Sequence, residues 1–437
     1  MKFVSTRNPA LRVNFEEALF QGLASDGGLF IPEEDLHLQQ HFRAMDKKTS
    51  FQDIASLIAA YLMKGEVDAG GIQRIVRAAF PFEPKLVQME NGMSILELFH
   101  GPSSAFKDFG ASFLAATMEE FLQNSQRRAV ILTATSGDTG SAVAQAFHNR
   151  RNVDVVILYP SGRVSPLQEK QLTTLGGNVL ALEVKGSFDD CQRLVKEAFV
   201  DPVLKKALPL TSANSISLGR LIPQSFYYIW AFAQLKDSLE EELFFCVPSG
   251  NFGNLTAGVY AWKWGLPVTG FVAATNANDV VPQYLESGIY QPRPSVLTYS
   301  NAMDVGSPSN FERLEAVFQK NWNLMRAMIF GQTVTDAETL STIREFYQEH
   351  HMFLCPHTAV GYQAAQRFRK DNRLDHAQLC VLATAHPAKF LDIVERATGQ
   401  KPDLPPGLAE AATKPKQAIL VEPRLETISR LLLERLA

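Results

Sequence analysis

Strand-like and helical segments alternate over most of the 437 residues of this chain, and this alternation limits the fold more than any other feature. Short apolar runs rich in β-branched and aromatic residues recur, and the segments between them have helical apolar spacing. One of these predicted helices covers residues 187–199, where Ser187 and Asp190 have the spacing of a capping box. The strand candidates are 130–133, 153–159, 179–184, 243–247, 271–274 and 379–383. This order is typical of an α/β fold, in which a mainly parallel sheet is covered by helices on both faces.

The first part of the chain differs from this pattern. Helical apolar spacing occurs at 51–63 and again at 72–80, and the Pro-containing segment 80–84 then interrupts it. We therefore predict a mainly helical N-terminal domain at residues 1–85.

The remaining chain is predicted to hold a core and a short C-terminal region. The strand and helix alternation lies within residues 86–400, which we take as the core. A Pro-rich linker follows, and Leu425–Leu436 has the spacing of an amphipathic helix. Residues 401–437 are therefore predicted to form a linker and a helix.

The amino-acid composition limits the kinds of partner that the chain is expected to bind. Hydrophobic residues make up 46% of the chain, charged residues 20%, and the formal net charge of -4 gives no reason to expect a nucleic-acid partner. No stretch approaches the roughly 20 apolar residues that a membrane helix needs, and the N-terminus lacks the apolar run of a signal peptide. The four cysteines are scattered without the spacing of metal ligands, so no metal site is predicted. We expect a cytoplasmic protein with no membrane partner.

In parallel sheets, ligands bind beyond the carboxyl ends of the strands, so the residues that follow each predicted strand are the candidates for chemistry. Residues 135–140, Thr-Ser-Gly-Asp-Thr-Gly, lie between a predicted strand and a predicted helix. Small residues at a helix N-terminus let the backbone approach an anion such as a carboxylate. An ordinary turn with a helix cap is the alternative, because capping is the commoner use of these residues.

A second segment with this character is 249–254, Ser-Gly-Asn-Phe-Gly-Asn, which also opens a helix. Its backbone amides can form a concave nest that suits a phosphate, although a Gly-rich turn explains the same residues. A third segment follows the strand candidate that ends at Ala383. Thr384 is placed there at the strand end, whereas His386 is a lone histidine of the kind that usually caps a helix or lies at the surface.

Lys107 is unusual because it lies at the start of a predicted helix between two phenylalanines, Phe106 and Phe109. Burial and the positive end of a helix both disfavour its charge and are expected to lower its pKa. A lysine that is partly neutral at pH 7 can form a Schiff base with an aldehyde. The alternative is a surface lysine whose ammonium group reaches the solvent. Two anion-binding loops in the same chain favour the first interpretation.

Several fragments, in order, extend this pattern over nearly the whole chain. They are STR at 5–7, GLASDGGLFIP at 22–32, HGPSSAFKDFG, ILTATSGDTG, ILYPSGRVSPLQEKQL, SANSISLGR, VPSGNFGN and TAHPAKF. Together they resemble the threonine synthases, members of the fold-type-II pyridoxal-phosphate family that also contains tryptophan synthase β and serine dehydratase. The resemblance implies two open, twisted, mainly parallel sheets with helices on both faces and a helical N-terminal domain. It also implies a smaller subdomain, at roughly 108–180, inserted in the larger one.

The resemblance further implies the cofactor pyridoxal 5′-phosphate and a role for each matching residue. Lys107 is the catalytic residue and forms the Schiff base, the 249–254 loop holds the cofactor phosphate, and Thr384 bonds the pyridine nitrogen. The implied cofactor-binding residues are Lys107, Asp138, Gly250, Asn251, Phe252, Gly253, Asn254 and Thr384. The implied substrate-binding residues are Ser136, Gly137 and Thr139 for the carboxylate and Asn214, Ser215 and Arg220 for the phosphate.

Asp138 departs from the wider family, in which many members place an asparagine beside the 3′-oxygen of the cofactor. An ionised aspartate would repel that phenolic oxygen, so either Asp138 shares a proton or the contact is rearranged. The longer threonine synthases, which carry this N-terminal extension, also use an aspartate. The sequence leaves both alternatives open.

The activity implied by the resemblance is the conversion of O-phospho-L-homoserine and water to L-threonine and phosphate, the last step of threonine biosynthesis, by a lyase that is a monomer or a homodimer. A phospho-lyase on the same scaffold is the nearest rival, since it keeps the lysine and the phosphate site but releases 2-oxobutyrate. A serine or threonine dehydratase has no need for the segment around Arg220. From another class, a catalytically silent protein that binds a phosphate ligand would not need Lys107.

Overall fold

The computed structural model describes residues 1–123, 125, 127–239 and 242–436. Its strands are β1 (Phe3–Ser5), β2 (Arg12–Val13), β3 (Phe30–Pro32), β4 (Lys85–Gln88), β5 (Met93–Glu97), β6 (Ala129–Ala134), β7 (Val153–Pro160), β8 (Val179–Val184), β9 (Leu210–Thr211), β10 (Leu243–Pro248), β11 (Gly270–Thr275), β12 (Ile329–Thr333), β13 (Gln378–Ala383) and β14 (Ile419–Val421).

Helices surround these strands. They are α1 (Phe15–Gln21), α2 (Gln39–Ala44), α3 (Phe51–Leu62), α4 (Ala69–Ala79), α5 (Lys107–Leu122), α6 (Asp138–Phe147), α7 (Pro166–Thr173), α8 (Phe188–Val200), α9 (Pro202–Ala207), α10 (Leu218–Leu221), α11 (Ser225–Leu235), α12 (Gly253–Lys263), α13 (Val280–Ser287), α14 (Phe311–Val317), α15 (Trp322–Met328), α16 (Asp336–His350), α17 (Pro356–Asn372), α18 (Leu391–Thr398), α19 (Pro406–Thr413) and α20 (Leu425–Leu436). No helix among the described residues is long and apolar enough to cross a bilayer.

Two parallel sheets form the body of the fold, as predicted. The larger has six strands in the order β12-β11-β10-β13-β5-β4, and only the edge strand β4 runs antiparallel to its neighbour. The smaller has five strands in the order β14-β8-β7-β6-β9, and all of them are parallel. The carboxyl ends of β6, β10 and β13 therefore carry the three loops that the sequence singled out.

Both faces of the smaller sheet are buried, which explains why its strands are continuous apolar runs. Val130 and Leu132 of β6 pack with Leu194 of α8 in one cluster. Ile131, which points to the opposite face, packs in another cluster with Leu114 of α5. Successive side chains of one strand therefore pack against helices on opposite faces of the sheet.

The helix predicted at 187–199 is α8, and its start is fixed by the predicted capping box. The Ser187 hydroxyl accepts a hydrogen bond from the Asp190 backbone N–H at 3.2 Å, and the Asp190 carboxylate accepts one from the Ser187 N–H at 2.8 Å. Two of the backbone donors at the helix start are satisfied in this way.

The N-terminal region contains the predicted helices α3 and α4 but also a three-stranded antiparallel sheet in the order β2-β1-β3. This sheet was not predicted. Strands of two or three residues are too short to show a period, so a prediction of a mainly helical region leaves them out.

The C-terminal region likewise holds more than a linker and a helix. The predicted helix is present as α20, but α19 precedes it and β14 pairs with β8 along the edge of the smaller sheet. The domain limits at 85 and 400 remain predictions. Since β8, β9 and β14 belong to the smaller sheet, we propose that its subdomain extends beyond the predicted 108–180 to residue 211 and includes 419–436.

Candidate active site

Lys107 is the first residue of α5 and lies beside the carboxyl end of β13. The backbone N–H of Phe106 donates to the Thr384 carbonyl at 2.9 Å, and Ala105 forms an isolated bridge with Ala385. Phe109, two residues further along the helix, is fully buried within a cluster of phenylalanine rings. The start of α5 is therefore held between the strand end and the core, and it places Lys107 and Thr384 next to each other.

The Lys107 amino group is largely buried and lies beside a carboxylate. Its side chain is 16% exposed, and its Nζ atom is 3.6 Å from Oδ2 of Asp138. Burial lowers the pKa of Lys107, Asp138 opposes this, and the positive charges of Lys389 and Arg220 lower it further. The direction agrees with the expectation from the sequence, and a larger fraction of neutral amine results.

Asp138 is the first residue of α6 and is almost completely buried. Its Oδ1 atom contacts Nζ of Lys389 at 2.8 Å and accepts a hydrogen bond from Nε2 of Gln168 at 2.9 Å. Burial alone would raise the pKa of Asp138, but Lys389 and Lys107 together hold it well below its usual range. The sequence left two alternatives, a proton shared by Asp138 or a rearranged contact, and the 2.8 Å contact with Lys389 argues against the shared proton.

Lys389 was missed by the sequence reasoning, although its segment had been noted. It lies in the 3-10 turn Pro387–Phe390 after β13, with a fully buried side chain whose Nζ donates to the Ser103 carbonyl at 2.7 Å. The signal that could have found it was Asp138, because a buried carboxylate requires a cation nearby. His386, the histidine of that segment, caps the turn. Its Nδ1 atom accepts a hydrogen bond from the backbone N–H of Ala388 at 3.2 Å.

The 135–140 loop joins β6 to α6 in a tight turn. The Thr135 hydroxyl accepts hydrogen bonds from the backbone N–H groups of Gly137 at 3.0 Å and Gly140 at 2.9 Å. Gly137 has a φ of 146°, and a Cβ atom there would lie 2.8 Å from the side chain of Gln168. Ser136 is exposed and Thr139 is half-buried at the rim of this turn. The loop thus combines a cap with an open helix N-terminus, which suits an anion.

The 249–254 loop joins β10 to α12 and has the geometry of an anion nest. Phe252 adopts a left-handed φ of 59° directly before the helix starts at Gly253. The Asn254 side chain braces the loop, since its Nδ2 donates to the Pro248 carbonyl at 2.8 Å. Within the part of the chain that the structure describes, the backbone N–H groups of residues 250–254 have no acceptor. Their positive ends remain available to a phosphate.

Gly250 allows this loop to pack on the turn that carries Met303. A Cβ atom at Gly250 would lie 2.6 Å from the Met303 Cα atom, closer than real contacts allow. We expect Gly250→Ala to displace the loop and to weaken cofactor binding by about tenfold to a hundredfold, the equivalent of a packing cost of about 1–3 kcal/mol. A titration of the cofactor-free protein with pyridoxal phosphate, followed by absorbance, measures this.

The matched control for Gly250→Ala is Gly70→Ala in α4, where an added Cβ atom would make ordinary contacts at 3.5 Å. This control is expected to bind the cofactor like the unmodified protein. Equal affinities for the two variants would contradict the assignment of the 249–254 loop.

The segment from Asn214 to Arg220 lies against this nest. The Asn251 Nδ2 atom donates to the Ser215 hydroxyl at 2.6 Å, and the Asn214 Oδ1 atom accepts from the Thr133 hydroxyl, near the end of β6, at 2.9 Å. Asn214 and Ser215 therefore lie between the two sheets, where the sequence interpretation places the substrate phosphate.

Arg220 is 3% exposed and keeps unused hydrogen-bonding capacity. Its Nη1 atom donates to the Ala213 carbonyl at 2.7 Å, whereas its buried Nε atom has no partner among the described residues. Burial lowers the pKa of Arg220 to about 10. A buried guanidinium with an unsatisfied donor and no paired carboxylate is suited to bind an anionic ligand.

The structure brings most of the predicted residues together. Lys107 lies 3.6 Å from Asp138, its neighbour Phe106 is bonded to the Thr384 carbonyl, and the 249–254 loop touches Ser215 directly. Ser136 is exposed and shares no side-chain hydrogen bond with these groups in the described part of the chain. His357 was not predicted. Its buried Nε2 atom accepts from the backbone N–H of Ala302 at 3.1 Å, which supports the turn under Gly250, and burial lowers its pKa to about 3.

These groups fit an aldehyde cofactor that carries a phosphate. The amide nest matches the phosphate, the amine of Lys107 matches the aldehyde, and the hydroxyl of Thr384 at the strand end matches an uncharged ring nitrogen. The hydrogen-bond donors around Arg220 are not needed for this cofactor, so they are available to bind a second anion.

Comparison with known families agrees with this donor set. Residues 95–385 match the family described as pyridoxal-phosphate dependent enzyme. Residues 2–80 match the family threonine synthase N terminus, and residues 358–432 match threonine synthase, C-terminal. The matches cover residues 2–80 and 95–432, which contain the smaller sheet and all strands of the larger sheet except β4 and the start of β5.

Individual proteins are similar over almost the whole chain. The threonine synthase of Serratia marcescens is 44% identical over 421 residues, which are 95% of each chain. A pyridoxal-phosphate-bound threonine synthase structure from Brucella melitensis has a TM-score of 0.92 and 37% identity, with 99% of both chains covered. The Escherichia coli threonine synthase structure has a TM-score of 0.90 and 42% identity, covering 99% of this chain and 100% of that one.

Proposed function

The chain belongs to the threonine synthase family of pyridoxal-phosphate-dependent lyases, as its motifs predicted, and from this premise we propose that it converts O-phospho-L-homoserine and water to L-threonine and phosphate. The observation that carries the proposal is the contact between two anion sites. The hydrogen bond from Asn251 to Ser215 joins the 249–254 nest to the segment that holds Arg220. A substrate with its own phosphate needs such a second site, whereas a simple amino acid does not.

We propose that the residues divide into cofactor and substrate groups as the sequence interpretation has them. Residues Gly250 to Asn254 hold the cofactor phosphate, and Thr384 contacts the pyridine nitrogen through its hydroxyl. When bound, pyridoxal phosphate supplies an electron sink that stabilises negative charge on the carbon atoms of the substrate. Gly137 and the rim side chains Ser136 and Thr139 offer donors for the substrate carboxylate at the start of α6.

Lys107 is the proton carrier in this proposal. Burial lowers its pKa, and its Nζ atom is the flexible end of a side chain at the start of α5. A neutral amine accepts a proton from one substrate carbon and returns it to another within the same cavity. Asp138, 3.6 Å away, stabilises the ammonium form that exists between these transfers.

Arg220 and Asn214 position the substrate phosphate and stabilise it as it leaves. The Nε donor of Arg220 has no partner among the described residues, and the guanidinium is positively charged. Both features stabilise a phosphate that gains negative charge when its ester bond breaks. The guanidinium fork makes two parallel hydrogen bonds to phosphate oxygens, which fixes the substrate chain as well as its charge. The released phosphate stays near the carbon atom that water attacks and can exchange a proton with that water.

The test is an incubation with O-phospho-L-homoserine in isotopically labelled water, followed by analysis of threonine, phosphate and 2-oxobutyrate. We expect equal amounts of phosphate and threonine, with the label in the threonine hydroxyl group, because water adds to the substrate carbon. Release of phosphate with 2-oxobutyrate and no threonine would contradict the proposal and favour a phospho-lyase.

We further propose a cytoplasmic protein that is a monomer or a homodimer. All four cysteines are unpaired and buried, which is consistent with a reducing compartment. Sedimentation of the purified protein distinguishes the two assembly states.

A further inference from the structure

Asp138 lies between two lysines, and only Lys107 has a role in the proposed reaction. Nζ of Lys389 is 2.8 Å from Oδ1 of Asp138, and Nζ of Lys107 is 3.6 Å from Oδ2. Lys389 is fixed by a second hydrogen bond to the Ser103 carbonyl at 2.7 Å and is fully buried. Its burial and these two contacts hold the ammonium group of Lys389 beside the carboxylate.

The other ionisable groups around this trio are Asp108, Arg220, His357 and His386. Burial lowers the pKa of His357 to about 3 and of His386 to about 4, so both are neutral at pH 7. Burial raises the pKa of Asp108 to about 6, and its Oδ2 atom accepts from the Ser103 backbone N–H at 2.9 Å. Arg220 adds a positive charge.

We propose that Lys389 is a positioning residue that acts as the fixed counter-ion of Asp138 and thereby leaves Lys107 free to be a neutral amine. The inference rests on the proposed roles of Lys107 and Asp138. A carboxylate beside a single lysine favours the ammonium form of that lysine. Lys389 makes the shorter contact with the carboxylate and adds a repelling positive charge, so both of its effects favour the neutral form of Lys107.

The positive charge of Lys389 also affects the contact between Asp138 and the cofactor. If the cofactor's phenolic oxygen lies beside Asp138, an isolated carboxylate would repel it. The ion pair with Lys389 cancels most of this repulsion, since the pair has no net charge. The aspartate therefore functions as one half of a neutral pair at a place where many relatives of this fold have an asparagine.

A purely structural role for Lys389 predicts something different. In that case the lysine only ties the Pro387–Phe390 turn to the Ser103 carbonyl, and its loss would reduce stability without changing the protonation of Lys107. The titration of Lys107 separates the two roles, because it responds to the charge of residue 389 and not to stability alone.

The experiment compares the full-length protein with its Lys389→Met variant. The cofactor is removed with hydroxylamine, and the acetylation of Lys107 by a trace reagent is measured by mass spectrometry across the pH range. In Lys389→Met we expect labelling of Lys107 near pH 7 to fall by about tenfold, equivalent to a titration about one pH unit higher. An unchanged Lys107 titration in folded Lys389→Met would overturn the inference.

Two further variants serve as controls. Lys389→Arg keeps the charge and is expected to label within about twofold of the unmodified protein, well below the tenfold change for one pKa unit. Lys185→Met removes an exposed lysine that pairs with Glu422 and is expected to leave the Lys107 titration unchanged. A loss of labelling in Lys389→Arg equal to that in Lys389→Met would also count against the proposal.

A second comparison applies if Lys389→Met does not fold. Asp138→Asn leaves Lys389 as an unpaired cation, and Asp138→Asn/Lys389→Met removes both charges together. We expect Lys107 to label more strongly in Asp138→Asn than in the double variant, and equal labelling would overturn the inference. Failure of borohydride to attach the cofactor to Lys107 in the unmodified holoenzyme would instead overturn the proposed function.

Discussion

Replacing Lys107 by alanine is expected to abolish both activity and the covalent attachment of the cofactor. The side chain supplies an amine of lowered pKa at the start of α5, and the proposed reaction uses it for the proton transfers at the substrate carbon atoms. Loss of one acid–base group costs up to about 10⁴-fold in rate, and loss of the Schiff base adds to that. The measurement pairs a threonine assay with borohydride reduction and mapping of the labelled peptide.

Lys389 makes this mapping informative, because it is a second buried lysine in the same cavity. In the unmodified enzyme the cofactor label is expected on the peptide with Lys107, and in Lys107→Ala it is expected on neither lysine. Label on Lys389 in the unmodified enzyme would show that the reactive lysine has been misassigned. Lys185→Ala, at an exposed ion pair with Glu422, is the control and should keep full activity.

Replacing Arg220 by alanine is expected to damage substrate binding and to spare the cofactor. The variant removes a buried charge at the proposed phosphate site. Truncation of one partner of a buried charge pair, here the guanidinium and the substrate phosphate, costs about 2–5 kcal/mol of binding free energy. We expect kcat/KM to fall by roughly a hundredfold or more, through a higher KM from the lost binding and a lower kcat from the lost stabilisation of the leaving phosphate. The absorbance band of the bound cofactor is expected to stay unchanged.

Arg220→Lys is the matched variant for this prediction, since it keeps the charge and loses the planar fork. It should retain more activity than Arg220→Ala and less than the unmodified enzyme. Loss of the cofactor band in Arg220→Ala would mean that the two phosphate sites are assigned the wrong way round. The backbone carbonyl of Arg220 lies close to Gly110, where a Cβ atom would be 2.3 Å away, so the helix packing does not depend on the side chain alone.

The long strands were predictable because each is buried on both faces. β7, β8 and β10 are nearly continuous apolar runs, a composition that is typical of strands buried on both faces. β9 and β14 have two and three residues, and only their neighbours in the sheet make them strands. Local pattern carries no information about such pairing.

The residues of the site, too, were only partly predictable from the sequence. Lys107 and the two Gly-rich loops were found because each has an unusual local composition at a helix start. The contacts of Asp138 with Gln168 and Lys389 join three separate elements, so no spacing in the sequence reveals them. The bond between Asn251 and Ser215 is of the same kind. A buried aspartate requires a cation nearby, and this requirement is the one signal in the sequence that points to a counter-ion such as Lys389.

The edge strand β14 has a consequence for how the protein is made. It pairs with β8, yet it lies within the last residues of the chain, after the whole larger sheet. During synthesis, β8 therefore leaves the ribosome long before its partner exists, and its edge N–H and C=O groups stay open to other chains. Closing a loop of this length is slow. Until β14 is made and pairs, the open edge of β8 exposes the nascent protein to pairing with other chains.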